Sequence, residues 1–287
     1  MQITANGITL DVETHGDAAD PALVLIRGLG SQRIHWAPQL IAGFTGAGFH
    51  VVTFDNRDVG GSQRFPDTPA DADAIAAALE AGETPAFAYT LDDMARDVTG
   101  LMDALGIAQA HVFGISMGGA ITQRLLLDHA ARLRTATVVM SAARLGQRDT
   151  IGRVLVRDME RAAFIDAAVE TDRAWGSPGF PAPEDWTRDI AARAWDRGAE
   201  AAGVNRQVLA IMGSEDRSGD LARVTTPTLV IHGRDDALIP WEAGQDTATR
   251  IPKAEWELID GMGHIITPSL APVIAARVSR FITEAGA

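Results

Sequence analysis

Short apolar runs of five or six residues recur along the chain, and each of them ends at a turn-forming residue. They are enriched in β-branched residues and do not alternate cleanly with polar residues. Runs of this kind are typical of strands that are buried on both faces, as in a parallel sheet covered by helices. The runs are ALVLI (22–26), HVVTF (50–54), AHVFGI (110–115), TATVVM (135–140), TLVIH (228–232) and AEWELI (254–259).

Segments with helical periodicity separate these runs. In the clearest of them, Met94, Val98 and Leu101 recur at a spacing of three or four residues, which places them on one apolar helix face. The alternation of strands and helices predicts an α/β fold with a mainly parallel sheet between layers of helices. Helices are predicted over 91–106, 117–130 and 268–285.

Two parts of the chain depart from this alternation. The N-terminal segment ITANGITLDVE alternates apolar and polar residues around Asn6-Gly7, which predicts a tight hairpin. Residues 145–220 contain no buried-strand run and carry many charged residues, so we predict a mostly helical insertion there. The predicted organisation is therefore a core of residues 1–144 and 221–287 into which 145–220 are inserted.

Composition excludes several classes of function. The formal charge of −13 argues against a nucleic acid or an anionic membrane surface as the partner. Without cysteine, the chain has no disulfide, no thiol nucleophile and no cysteine metal site. Because the N-terminus lacks a secretory signal and no apolar run approaches the roughly 18 residues of a membrane span, we expect a soluble, cytoplasmic protein. Its oligomeric state stays open, with a homo-oligomer as one option.

Ser116 lies in the sequence GISMGG, between a predicted buried strand and a predicted helix. This strand–turn–helix context is that of a nucleophile elbow, in which the serine adopts a strained backbone conformation. The residues two positions away must then be small, and Gly114 and Gly118 meet that demand. The N-terminus of the helix directs free N–H groups toward the place where an oxyanion forms, so the Met117 N–H is a candidate donor.

A serine hydroxyl needs a neighbouring base, and the base needs an acid that orients it. Among the seven histidines, His264 lies in the glycine-rich loop GMGH after the last strand run, from which it can reach the carboxyl edge of the sheet. For the acid, HGRDDALIP offers Asp235 and Asp236, of which only one can face the imidazole. The chain order serine, aspartate, histidine is one of the known orders of this triad.

A second oxyanion donor is expected after an early strand, and LIRGLGSQ (25–32) occupies that place. Gly28 and Gly30 permit a close approach of the backbone, and the Leu29 N–H is the predicted donor. Together these groups predict acyl transfer to water by way of an acyl-enzyme. No histidine–carboxylate cluster with metal-ligand spacing is evident in the sequence, so we expect neither a metal nor a cofactor.

Five segments resemble, in order, those of the α/β-hydrolase fold family, and the resemblance covers nearly the whole chain. They are RGLG, FDNRDVGGS (54–62), GISMGG, HGRDDALIP and GMGH. The resemblance implies a mainly parallel eight-stranded sheet flanked by helices, with a helical cap inserted before the last two strands. It also selects Asp236 over Asp235, because the family's acid usually lies four residues after the histidine of an H-G-x-x-D pattern. Asp58 stands where the family commonly has glycine, and Arg27 where it commonly has histidine.

Within this family, YTLDDMARDV and GISMGGAITQ most resemble the aclacinomycin methylesterase-like group of carboxylesterases. The resemblance implies that 145–220 form the cap, and its aromatic side chains either line the site or pack the cap on the core. An aromatic wall would suit a small-molecule ester of small to medium size with a hydrophobic part. The same triad also supports carbon–carbon bond hydrolysis and cofactor-free perhydrolase or haloperoxidase chemistry, and a non-catalytic ligand receptor is a further alternative. The aromatic residues are Phe164, Trp175, Phe180, Trp186 and Trp195.

Overall fold

The computed structural model describes residues 1–145 and 154–286 and confirms the predicted fold class. The strands in these residues form one eight-stranded sheet, in the order β1-β2-β4-β3-β5-β6-β7-β8. The second strand is antiparallel to both of its neighbours, and every other pairing is parallel. The strands are β1 (Gln2–Ala5), β2 (Ile8–His15), β3 (Ala22–Ile26), β4 (His50–Phe54), β5 (Ala110–Ile115), β6 (Leu133–Val139), β7 (Thr228–Gly233) and β8 (Glu255–Ile259).

Helices cover both faces of this sheet. The helix predicted over 91–106 begins after Thr90, whose hydroxyl accepts the Asp93 N–H while the Asp93 carboxylate accepts the Thr90 N–H. This reciprocal capping satisfies two backbone donors that a helix start otherwise leaves free. The helices are α1 (Pro38–Gly46), α2 (Ala72–Glu80), α3 (Leu91–Ala104), α4 (Met117–Asp128), α5 (Arg161–Trp175), α6 (Glu184–Asp196), α7 (Ala201–Met212), α8 (Trp241–Arg250) and α9 (Ala271–Gly286).

The central strands send alternate side chains into two apolar layers. In β5, Val112 packs in the layer shared with α3 and α4, whereas Phe113 and Ile115 pack in the layer shared with α1 and α9. Successive side chains of a strand point to opposite faces, so a strand covered on both faces is apolar at nearly every position. This is the reason that the strand runs show no polar alternation.

The edges of the sheet differ from its centre. The predicted hairpin is confirmed: Asn6 and Gly7 have φ values of 49° and 75°, as a two-residue type I′ turn requires. The prediction that the run 254–259 is buried on both faces is wrong, because β8 is the last strand of the sheet and all of its residues remain at least partly exposed. None of the helices in the described part of the chain is both long and apolar enough to cross a bilayer.

The helices α5, α6 and α7 lie in the chain between β6 and β7, within the predicted insertion 145–220. Residues 146–153 of that interval lie outside the described residues. The division into a core of 1–144 and 221–287 and a cap of 145–220 stays a prediction.

Asp58 connects α7 with the segment that follows β4. It has a φ of 71°, a value that favours glycine, which is the residue common at this position of the family. Its carboxylate accepts two hydrogen bonds from the buried Arg206 guanidinium, at 2.8 and 2.9 Å, one from the Tyr89 hydroxyl at 2.7 Å and one from the Phe65 N–H at 3.0 Å. The carboxylate therefore fixes α7 to the segment after β4 through a buried ion pair.

We expect Arg206→Met to lower the free energy of unfolding by about 3–5 kcal/mol, because it leaves the Asp58 carboxylate buried without its counter-charge. Urea denaturation followed by circular dichroism measures the change. The control is Arg161→Met, which removes an exposed ion pair to Asp196 in the same set of helices and should hardly move the midpoint. Equal losses in the two variants would contradict the role assigned to the buried pair.

Candidate active site

Ser116 occupies the turn between β5 and α4, with φ 54° and ψ −120°. A non-glycine residue at this φ is strained, and such strain persists only where the surrounding structure holds it. Here the Ser116 N–H donates to Val139 O at 2.9 Å, and close backbone packing surrounds the turn. A Cβ placed on Gly114 would lie 2.2 Å from Gly118 O, and one placed on Gly118 would lie 2.2 Å from Ile26 O. Both positions therefore require glycine.

Three side chains meet at the carboxyl edge of the sheet. His264, in the loop after β8, places Nε2 3.0 Å from Ser116 Oγ. Its Nδ1 lies 2.7 Å from Oδ2 of Asp236, which follows β7. With Nδ1 protonated, the imidazole donates to the carboxylate and leaves Nε2 free to accept the serine proton. The arrangement is that of a serine nucleophile, its base and the orienting acid.

Asp236 is buried and held on several sides. Its Oδ1 accepts the N–H groups of Leu238 and Ile239 at 2.9 and 2.8 Å. Burial by itself would raise the pKa of Asp236, but hydrogen bonds from His232, His264 and the Ile239 N–H outweigh it, and the net pKa lies below the ordinary value. The carboxylate is therefore ionised throughout the neutral range and can stabilise a protonated imidazole.

Asp235, the alternative acid, points elsewhere. Its side chain is exposed and accepts the Gly261 N–H at 2.8 Å. It thereby supports the loop that leads to His264 without contacting the imidazole. Of the two adjacent aspartates, the structure brings Asp236 to the histidine.

The two backbone N–H groups predicted as oxyanion donors, those of Leu29 and Met117, lie on segments next to Ser116. Within the described residues, neither the Leu29 nor the Met117 N–H donates to a protein acceptor. Met117 begins α4, and its N–H is one of the donors that a helix leaves free at its N-terminus. The Leu29 loop lies against the serine, since a Cβ placed on Gly28 would be 3.0 Å from Ser116 Cβ. Both N–H groups are therefore free to donate, and their role as oxyanion donors stays a prediction.

Two polar side chains in this region were not assigned a role from the sequence. Gln207 of α7 accepts the Gly30 N–H at 2.8 Å and donates to Arg57 O at 2.8 Å, so it fixes the loop that carries Leu29. His232, in β7, is wholly buried, with Nε2 3.0 Å from Ile239 O and 3.3 Å from Asp236 Oδ2. The H-G-x-x-D spacing signals His232, whereas nothing in the local sequence signals Gln207.

The connection between α5 and α6 holds the histidine loop. The His264 N–H donates to Trp175 O at 2.7 Å. The Ser177 hydroxyl accepts the Gly263 N–H at 3.0 Å and donates to Ile265 O at 2.7 Å. The position of the imidazole therefore depends on the inserted helices as well as on the sheet.

A cavity of about 460 Å³ lies over Ser116 and His264, and the inserted helices form part of its wall. Four of the five predicted aromatic residues line it, and the rings of Phe164 and Trp195 are 5.5 Å apart. Phe180 instead packs against the apolar layer shared with α1 and α9. The volume suits a small-molecule ligand. The four lining residues are Phe164, Trp175, Trp186 and Trp195.

Residues 21–268 match the family described as alpha/beta hydrolase fold. The chain belongs to the alpha/beta hydrolase fold family. The resemblance stated from the sequence motifs is thereby confirmed, and so is the eight-stranded, mainly parallel sheet that the resemblance implied.

Three proteins similar to this alpha/beta hydrolase are described as hydrolases of different kinds. RutD of Variovorax paradoxus (strain S110), a proposed carbamate hydrolase, is 29% identical over 97% of both chains. Rhodomycin D methylesterase DauP of Streptomyces sp. (strain C5) is 27% identical over 96% of this chain and 95% of its own, in keeping with the resemblance to the methylesterase-like group. The enol-lactonase structure from Burkholderia xenovorans LB400 has a TM-score of 0.77 and 26% identity, and the match covers 99% of this chain and 100% of that one. These relatives support hydrolase activity without fixing a substrate.

We expect Gly114→Ala to destabilise the hydrolase by about 1–3 kcal/mol, because the added methyl group would meet Gly118 O and Thr122 Oγ1 at 2.2 Å. Thermal unfolding measures the effect. Gly46→Ala is the control: Gly46 ends α1, is exposed and has no atom near the added Cβ, so the substitution should be neutral or stabilising. A Gly114→Ala variant as stable as the parent would show that the elbow tolerates a side chain.

Proposed function

We propose that this alpha/beta hydrolase cleaves carboxylic esters by way of an acyl-enzyme formed on Ser116. The observation that carries the proposal is the continuous set of hydrogen bonds from Ser116 through His264 to Asp236 at the floor of the cavity. Nucleophile, base and orienting acid are then within reach of one another without any further group.

In the proposed reaction, His264 takes the proton of Ser116 as its Oγ attacks the ester carbonyl. The N–H groups of Leu29 and Met117 stabilise the oxyanion, and each such donor typically contributes about 10²–10³ in rate. Asp236 stabilises the imidazolium, which then protonates the leaving alcohol. Water, activated in turn by His264, attacks the acyl-enzyme and releases the acid.

The inserted helices of 145–220 act, in this proposal, as a cap that shapes the substrate site. The four aromatic residues on the cavity wall favour an ester with a hydrophobic acyl or alcohol part of small to medium size. The methylesterase and enol-lactonase relatives support an ester or lactone as the scissile group.

We expect Ser116→Ala to lower kcat/KM for p-nitrophenyl butyrate by about 10³-fold or more, since the nucleophile is removed. Release of p-nitrophenol measures turnover, and circular dichroism checks the fold. The matched control is Ser141→Ala at the carboxyl end of the neighbouring strand, where the buried hydroxyl has no hydrogen-bond partner among residues 1–145 and 154–286. Unchanged turnover in Ser116→Ala would rule out the serine mechanism.

The choice of substrate separates the alternatives that share the triad. A carbon–carbon hydrolase would prefer a dienoate-type diketone to every simple ester by a wide margin, and a perhydrolase would form peracid from hydrogen peroxide and a carboxylic acid. A ligand receptor would bind its ligand tightly with negligible turnover of the parent protein.

We expect Asp236→Asn to lower kcat by about 10²–10⁴-fold, because the amide cannot stabilise the imidazolium and favours the wrong tautomer. Asp235→Asn, at the adjacent exposed acid, should cause a much smaller loss. Steady-state kinetics on the same ester compares the two variants. A larger loss at Asp235 would assign the acid to that residue instead.

A further inference from the structure

Arg27, on the wall of the cavity, has no carboxylate partner among the described residues. It follows β3 directly and precedes Gly28, the residue whose backbone lies against Ser116. Within the part of the chain that the structure describes, its buried Nε has no hydrogen-bond partner and its Nη1 reaches only His35 O, at 3.5 Å. Most of the donors of the guanidinium are therefore unused.

Nearby arginines are different, because each of them is neutralised within the protein. Arg157, which also lines the cavity, pairs with an acid on α2. Arg33 and Arg197 pair with acids of β2, and Arg197 also pairs with the acid that follows β4. Arg27 therefore differs from these three described arginines in having no counter-ion among the described residues. The pairs are Arg33 with Asp11 and Glu13, Arg157 with Asp73, and Arg197 with Asp11 and Asp55.

The surroundings of Arg27 keep it charged without neutralising it. Burial lowers the pKa of Arg27 to about 9, so the guanidinium is protonated at neutral pH. Burial and the Arg27 charge lower the pKa of the neighbouring His35 to about 3, so this histidine is neutral. The guanidinium carbon lies 4.4 Å from the centroid of the Trp36 ring. Such stacking stabilises the cation but occupies the face of the group and leaves its in-plane donors free.

The acids on the cavity wall do not supply the missing counter-ion. Asp158, Asp172 and Glu200 line the cavity from α5 and from the segments next to α5 and α7. None of them forms an ion pair with Arg27, and Glu200 pairs with Arg64 at 3.4 Å. Because Arg27 is partly buried and has no carboxylate partner among the described residues, an anion bound at this point would stabilise its charge.

We propose that Arg27 binds a free carboxylate carried by the substrate, so that this hydrolase acts on esters or lactones with a carboxylate near the scissile bond. The inference rests on the proposed esterase function. A guanidinium fork matches the two oxygens of a carboxylate. Because Arg27 is two residues from the proposed oxyanion donor Leu29, the bound carboxylate would also orient the ester carbonyl over Ser116.

Matched pairs of esters test the proposal. Each pair consists of a mono(4-nitrophenyl) ester of a dicarboxylic acid and its distal methyl ester, which differ by one charge; succinic, adipic and suberic acids vary the span. The readout is the ratio of kcat/KM for the charged and the neutral member, after subtraction of the uncatalysed rate. We expect a ratio above about 10 for the parent at the best chain length, because a hydrogen-bonded charge contributes about 10- to 100-fold.

Substitutions assign that ratio to Arg27. Arg27→Met should lower it by about 10- to 100-fold, and Arg27→Lys, which keeps the charge without the fork, should give an intermediate ratio. Arg157→Met is the matched control, since it removes a cavity arginine that is already paired and should leave the ratio unchanged. A parent ratio at or below one for all three acids, or an equal ratio in Arg27→Met, would overturn the proposal.

Failure of the esterase function gives a different result. If neither member of any pair is hydrolysed, or if Ser116→Ala retains turnover, the proposed function is wrong and the ratio has no meaning. Calorimetric titration of succinate, adipate and suberate then tests Arg27 without catalysis. We expect Kd to rise by at least 10-fold from the parent to Arg27→Met for the tightest of the three; equal or undetectable binding in both proteins would overturn the carboxylate site.

Discussion

The left-handed backbone conformation of Ser116 depends on backbones that touch with no side chain between them. Gly118 brings the start of α4 against the carbonyl of Ile26, and Gly119 brings it against Ser141 at the end of the next strand. This packing directs the serine hydroxyl out of the sheet edge and the first N–H of α4 to the same side. The loops that carry Leu29, Asp236 and His264 follow β3, β7 and β8. The carboxyl ends of these parallel strands lie at the same edge of the sheet.

The inserted helices do more than cover the carboxyl edge of the sheet, because they also hold the loops at that edge in place. Gln207 fixes the loop of the proposed oxyanion donor, and Ser177 fixes the loop of the proposed base. The buried pair of Arg206 and Asp58 holds α7 against the segment after β4. A buried ion pair adds little net stability compared with an apolar contact, but it permits one arrangement of its partners. The positions of the proposed catalytic groups are therefore coupled to the position of these helices.

The sequence was informative wherever a signal is local. Strand runs, the Asn6-Gly7 turn and the glycines around Ser116 follow from periodicity and backbone sterics over a few residues. The choice of Asp236 over Asp235 needed the family pattern, because the two acids differ only in which way the chain turns. The exposure of β8 was missed, since an apolar run does not reveal that its strand ends the sheet. Gln207 and Gly30 are 177 residues apart in the chain, and no local pattern carries such a contact.

The surroundings of Arg27, like the contact of Gln207, could not be predicted from a local sequence pattern. A sequence shows that an arginine is present, whereas only the fold shows that its neighbours leave it without a counter-ion. On a chain with a net charge of −13, the long-range field repels anions, so an anionic substrate would gain little from steering. Recognition must then come from short-range pairing inside the cavity. A partly buried cation that has no counter-ion among the described residues discriminates there between substrates, because a neutral analogue cannot pair with it.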